Sequence, residues 1–132
     1  MRNTGNPYAD GFDEMRRWPT TFIAIRNLTT EYIALHLRVL APSESGRQTP
    51  FAGRPHRNAF YMPHLRVSTE SEYLGVAFVD GPEWIHPGDE VDATVALIYS
   101  DTGVDYSPLV AGASIEVMEG PHVVARSQIL RR

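Results

Sequence analysis

After residue 20 the chain never runs far without a breaker. Gly, Pro, Asp and Ser interrupt it at short intervals, and the stretches between are rich in Val, Ile, Leu, Thr, Phe and Tyr. Beyond residue 19 no window of helical length carries apolar residues at a 3.6-residue period, whereas two-residue alternation recurs. A chain divided in this way has too little uninterrupted length for packed helices, which points to an all-β sandwich or barrel. The runs are 20–25 (TTFIAI), 32–40, 57–67, 72–79, 90–100, 113–119 and 122–130. In 32–40, Ile33, Leu35, Leu37 and Val39 share one face, and His36 and Arg38 the other. In 90–100, Val91, Ala93, Val95 and Leu97 oppose Asp92 and Thr94. Pro63 cannot donate to a ladder, so 57–67 reads as an edge, a bulge or two short strands about that residue. Closing such runs into a small antiparallel barrel of about six strands removes the edges that invite aggregation, and this is the expected architecture.

A length of 132 residues fits one domain, large enough to bury roughly two-thirds of its unfolded surface without a metal or a disulfide. Residues 1–19 mix Gly5, Pro7, Gly11 and Pro19 with charges of both signs, and read as an irregular arm; Phe12, Met15 and Trp18 have the spacing of a short docking helix. Residues 20–132 are then a single β-barrel domain. The chain has no cysteine, which excludes thiol catalysis, Cys-ligated zinc and Fe–S clusters. Its 12 basic residues are all Arg, so a phosphate-loop lysine, a Schiff-base lysine and a lysine general base are excluded as well. With no apolar run of signal-peptide or membrane-spanning length, a cytoplasmic location without a membrane partner is expected.

Charge is segregated along the chain. Arg38, Arg47, Arg54, Arg57 and Arg66 are accompanied by one acid, Glu44, whereas residues 67–125 hold eleven acids and no arginine. The candidate binding surface is therefore the Arg-rich 45–66 loop, with Arg47, Phe51, Arg54, His56, Arg57 and Arg66 as its contact residues. Its chemistry suits bidentate pairing with carboxylates or stacking on bases, although Phe51, Phe60 and Tyr61 also fit a barrel rim. Other constellations carry less. His36, His56, His64, His86 and His122 lack metal-ligand spacing, so no metal or other cofactor is expected. No G-x-S-x-G elbow occurs, and no catalytic residue is assigned. Asp89, Glu90 and Asp92 read as a turn and a solvated strand start, Glu116 as an outward strand residue, and Glu119 as a turn residue. Trp84 reads as a plug on one barrel end.

Four segments stand in a recognisable order: SGRQTPFAGRPHRNAFYM (45–62), HPGDEVDATVALIY (86–99), GASIEVMEG (112–120) and PHVVARSQIL (121–130). Gly46, Arg47, Thr49, Pro50, Phe51, Gly53, Phe60 and Tyr61 carry the first of these. Over residues 30–130, with an insertion near 63–72, the set resembles the C-terminal β-barrel, domain III, of elongation factor Tu and related translational GTPases. The resemblance implies a six-stranded antiparallel barrel, to which the run 20–25 is additional, within the chain or across a dimer. In that family the barrel follows a GTPase domain and helps hold the aminoacyl-tRNA T-stem, the exchange factor and the GTPase domain. Here no G-x-x-x-x-G-K-[ST] loop exists. The family's Gly-Ala-Gly in the last strand is Ala125-Arg126-Ser127, which adds Arg126 as a candidate phosphate contact. The expectation is a non-enzymatic binding module for a protein partner, in one form an immunity-type mimic of the translation factor. The alternatives are an RNA-binding accessory protein, disfavoured by the acidic 67–125 segment, and a small-ligand barrel or unrecognised enzyme.

Overall fold

The computed structural model describes residues 31–132 and, before them, the backbone of Met15–Arg17. Ten strands lie within these residues: β1 (Met15–Arg17), β2 (Tyr32–Val39), β3 (Phe51–Ala52), β4 (Ala59–Tyr61), β5 (His64–Val67), β6 (Leu74–Asp80), β7 (Trp84–Ile85), β8 (Glu90–Leu97), β9 (Ser114–Glu119) and β10 (His122–Arg131). Six of them close into a barrel in the order β10-β2-β8-β6-β5-β9, every neighbouring pair antiparallel. The expected six-stranded closed barrel is thus the observed one. The run 20–25 lies outside the described residues.

Alternation builds the interior. On β2, Ile33, Leu35, Leu37 and Val39 are buried, while Arg38 is exposed and His36 half-buried. On β8, Ala93, Val95 and Leu97 follow the expected parity, but Val91 is only half-buried. Phe78, Ile115, Val117 and Ile129 complete a core that fills the barrel with side chains. One end is sealed by Tyr106 and Leu109 from the loop after β8. The Tyr106 hydroxyl donates to the Gly75 carbonyl at 2.6 Å and accepts from the Tyr99 amide at 3.2 Å, and burial pushes its pKa up to about 12. The opposite end is closed by Phe51, Tyr61 and Ile85. Phe51 stacks on Tyr61 with ring centres 4.2 Å apart, and Phe78 meets it edge-on at 5.4 Å. A second apolar cluster of Phe60, Ala77, Ala96 and Ile98, flanked by Met62 and Val79, buries positions of β6 and β8 that alternate with the core set.

Pro63 divides its run into two strands, as its missing donor requires. Before it, β4 leaves the barrel and pairs with β1; after it, β5 enters the barrel between β6 and β9. Met15–Arg17 is a strand where the spacing of Phe12, Met15 and Trp18 suggested a short helix, and the rest of the 1–19 arm lies outside the described residues. Three apolar residues at i, i+3 and i+6 span too few turns to sustain a helix, and β4 offers an edge whose backbone groups need partners. Trp84 is not the plug: it is half-buried, and its neighbour Ile85 fills the barrel end.

The barrel-end ribbon β3–β7 pairs Phe51 with Ile85 and Ala52 with Trp84. It leaves no room at Gly53, where an added Cβ would lie 2.2 Å from the Pro82 carbonyl oxygen and 2.9 Å from Ile85 Cδ1. Gly53→Ala is expected to destabilise the fold by about 2 kcal/mol or more through forced backbone displacement, measured by urea unfolding. A loss below about 0.5 kcal/mol would show that this contact is not a constraint.

Candidate functional site

The structure distributes the seven candidate residues over three places. Arg47 and Phe51 belong to the barrel end. Phe51 is fully buried, which corrects its reading as a contact residue. Arg47 is also buried and acts as an internal staple. Its Nη1 donates to the Glu119 carboxylate, its Nε to the Thr49 carbonyl at 2.9 Å, and its Nη2 to Thr49 Oγ1 at 3.1 Å and the Pro50 carbonyl at 3.3 Å. The guanidinium lies over the Tyr61 ring, 5.6 Å from its centre, and the Tyr61 hydroxyl donates to the same Glu119 oxygen. Glu119, read from the sequence as a turn residue, is the anion on which this end of the barrel is assembled.

Arg66 and Arg126 lie on the outer wall, both bound to Glu116. Cross-strand register puts Arg66, Glu116, Arg126, Arg38 and Glu90 in one row across β5, β9, β10, β2 and β8. Glu116 accepts from Arg66 Nε at 3.1 Å and from Arg126 Nη1 at 2.8 Å, and the two forks bury it. Arg66, then Arg126, holds the Glu116 carboxyl below its ordinary pKa against the opposing effect of burial. Arg38 and Arg126 are directly opposite, an unfavourable like-charge pair. Glu44, on the 3₁₀ turn Pro42–Glu44, relieves it by accepting from Arg38 Nη1 at 3.1 Å and from the Ala41 amide at 3.0 Å.

The next row contains a feature that the strand pattern did not disclose. His36 on β2 faces Asp92 on β8, and its Nδ1 lies 2.7 Å from Asp92 Oδ1 while its Nε2 lies 2.8 Å from Glu90 Oε2. A ring that donates to carboxylates from both nitrogens is an imidazolium. The hydrogen bond to Asp92, then that to Glu90, raises its pKa above the ordinary 6.5. Asp89 keeps its turn role, accepting from the His86 amide at 2.8 Å.

The third place is the hairpin after Gly53, which carries Arg54, His56 and Arg57. His56 and Ala59 exchange two backbone hydrogen bonds of 2.9 Å around Arg57 and Asn58, both of which have positive φ, 52° and 61°. That is the backbone of a two-residue type I′ hairpin. The His56 ring lies 5.1 Å from the Trp84 ring, which anchors the hairpin to β7. Arg54 and Arg57 are exposed, and neither has a carboxylate partner among the described residues. Arg38, Arg47, Arg66, Arg126 and Arg132 all have one.

Elsewhere, an open groove of about 260 Å³ runs over Ala34 and Thr94 between Asp80, Asp92 and Arg131. Among the described residues no three His, Asp or Glu side chains are placed to share a metal ion, and no helix is long and apolar enough to cross a membrane. No protein-family model matches the chain.

Two outcomes follow from this geometry. Arg47→Ala strands the Glu119 carboxylate and the Tyr61 hydroxyl and is expected to lower stability by about 2–4 kcal/mol, whereas Arg54→Ala and Arg57→Ala shift it by no more than about 0.5 kcal/mol. Parallel thermal and urea melts compare the three. For His36, the folded state holds the proton more tightly than the unfolded state. The stability it contributes is therefore complete below pH 6.5 and is lost as pH rises through the folded-state pKa. An NMR titration should place that pKa above 6.5, and the melting temperature should decline through the same interval in wild type but not in His36→Gln; a His36 titration at or below 6.5 contradicts the clamp.

Proposed function

We propose that this chain is a non-enzymatic binding module, a barrel of the type found at the C-terminus of elongation factor Tu and related GTPases, that engages a protein partner through the hairpin following Gly53. The observation that carries the reading is the partition of the arginines. Arg47, Arg66 and Arg126 are consumed by Glu119 and Glu116, and Arg54 and Arg57 remain exposed beside one another in sequence on an anchored turn. A side-chain-filled interior gives a small molecule no room inside the barrel. Nucleic-acid affinity grows with the number of phosphates neutralised, and with Arg38, Arg66 and Arg126 paired internally, Arg131 is the exposed arginine left on the described outer wall, beside Asp80 and Asp92. The ordered segments 45–62, 86–99, 112–120 and 121–130 support the translation-factor likeness, and an immunity-type mimic is one form of such a module.

The test is quantitative capture from native lysate with wild type and with Arg54→Ala/Arg57→Ala, which keeps the fold. Proteins retained by wild type and depleted at least several-fold by the double variant are the expected result. An identical protein set on both baits, or a strongly salt-dependent affinity for tRNA exceeding any protein interaction, defeats the reading.

A further inference from the structure

We propose that the hairpin of residues 53–60, with β1 paired to it, is a docking face for a carboxylate-rich segment of a protein partner, and that Arg57 occupies a left-handed conformation in order to present its guanidinium there. This rests on the binding-module reading and specifies what that module recognises.

The turn carries the first part of the argument. A type I′ hairpin needs positive φ at both central residues, which Asn-Gly or Gly-Gly supplies with little strain. Asn58, at 61°, is tolerated there, since its short polar side chain suits that region. Arg57, at 52°, is not of that kind. A long L-side chain in this region costs about 1–2 kcal/mol, and Arg57 makes no hydrogen bond or ion pair among the described residues that would offset it. Strain of this sort is retained where surrounding structure over-determines it and where the side chain serves an external contact. The surroundings here do so. Gly53 is pressed on Pro82, Pro55 fixes its own φ, and two backbone hydrogen bonds of 2.9 Å close the turn.

Topology carries the second part. The antiparallel pairing of β1 with β4 sets Arg17 opposite Ala59 and Arg16 opposite Phe60. The backbone register thus adds two arginine positions on the two-stranded β1–β4 ribbon that continues from the turn carrying Arg54 and Arg57. Planar guanidinium forks match carboxylates bidentately.

The choice of a protein segment over a nucleic acid follows from what flanks the hairpin. The Gly53 amide donates to the Glu83 carbonyl at 3.3 Å, and Glu83 and Asp80, both exposed, border the turn at Gly81 and Pro82. Nucleic-acid affinity grows with the number of phosphates neutralised, and these acids hold that number low at the hairpin, whereas one or two carboxylates can pair with Arg54 and Arg57 alone.

The experiment titrates the full chain with a blocked oligo-glutamate peptide and with an RNA hairpin, at low and at physiological ionic strength, using wild type, Arg54→Ala/Arg57→Ala, Arg57→Asn and Arg131→Ala. Arg131 is an exposed arginine on β10, outside the hairpin and in the groove beside Asp80 and Asp92, and serves as the control for charge alone. Peptide binding is expected to weaken at least about fivefold in the double variant and to hold in Arg131→Ala. Arg57→Asn should weaken binding with a melting temperature equal to or above wild type. Equal weakening in Arg131→Ala, tighter binding of RNA than of peptide, no peptide binding by wild type, or a lower melting temperature with unchanged binding in Arg57→Asn each overturns the proposal. If peptide binding fails while lysate capture still depends on Arg54 and Arg57, the ligand class is wrong and the binding module stands. If capture is indifferent to them, the module reading itself falls.

Discussion

A six-stranded sheet becomes a barrel only when its two edges meet, and here the junction is β5, four residues long. It pairs with β9 at every position from His64 to Val67, but with β6 only at His64↔Gly75 and Leu65↔Leu74. Pro63, which has no amide to give, still extends the seam because its carbonyl accepts from the Val76 amide at 3.1 Å. Leu65 is fully buried on the inside of this strand, and Arg66 fastens the outside to Glu116. Apolar burial and a charge-assisted hydrogen bond thus act on opposite faces of one short strand. Closure is what positions β9 to offer Glu116 to the wall and Glu119 to the barrel end.

Those two carboxylates organise the rest. Glu119 draws Arg47 and Tyr61 together and with them the loop 46–50, so the barrel end is closed by an ion pair roofed over aromatic rings. Glu116 collects two arginines from the strands on either side of it. Arg suits both tasks better than Lys would, since a planar fork can donate to several acceptors at once, as Arg47 does. The absence of Lys, which excluded several chemistries at the outset, here has a structural counterpart.

The strand faces were legible because alternation is a local property: β2 and most of β8 could be oriented from their own residues. The break at Pro63 was legible for the same reason. The ion pairs were not. Arg47 and Glu119 are 72 positions apart and Arg66 and Glu116 are 50 apart, so their meeting depends on the register of non-adjacent segments. Local counting described a basic segment and an acidic one as separate surfaces. Folding sets the first against the second, and much of the basic loop's charge is thereby neutralised. Alternation alone also does not account for Ala77 and Ala96, which alternate with core residues and are fully buried in the second apolar cluster. Trp84 and Ile85 differ by one position, and a two-residue strand offers too little pattern to choose between them.

What remains exposed after this neutralisation is a matter of chain geometry. Within a few residues the chain passes from Arg47 and Phe51, buried in the barrel end, to Arg54 and Arg57, which are exposed. Gly53 is the boundary, and it is a backbone boundary: close contact with the Pro82 carbonyl fixes where the hairpin leaves the barrel without involving any hairpin side chain. Residues beyond it are held by their own turn hydrogen bonds and by the His56–Trp84 contact. Side chains at the tip can therefore change with little consequence for the core, and a rigid scaffold carrying a separable turn is the arrangement in which a binding surface can be altered independently of the fold.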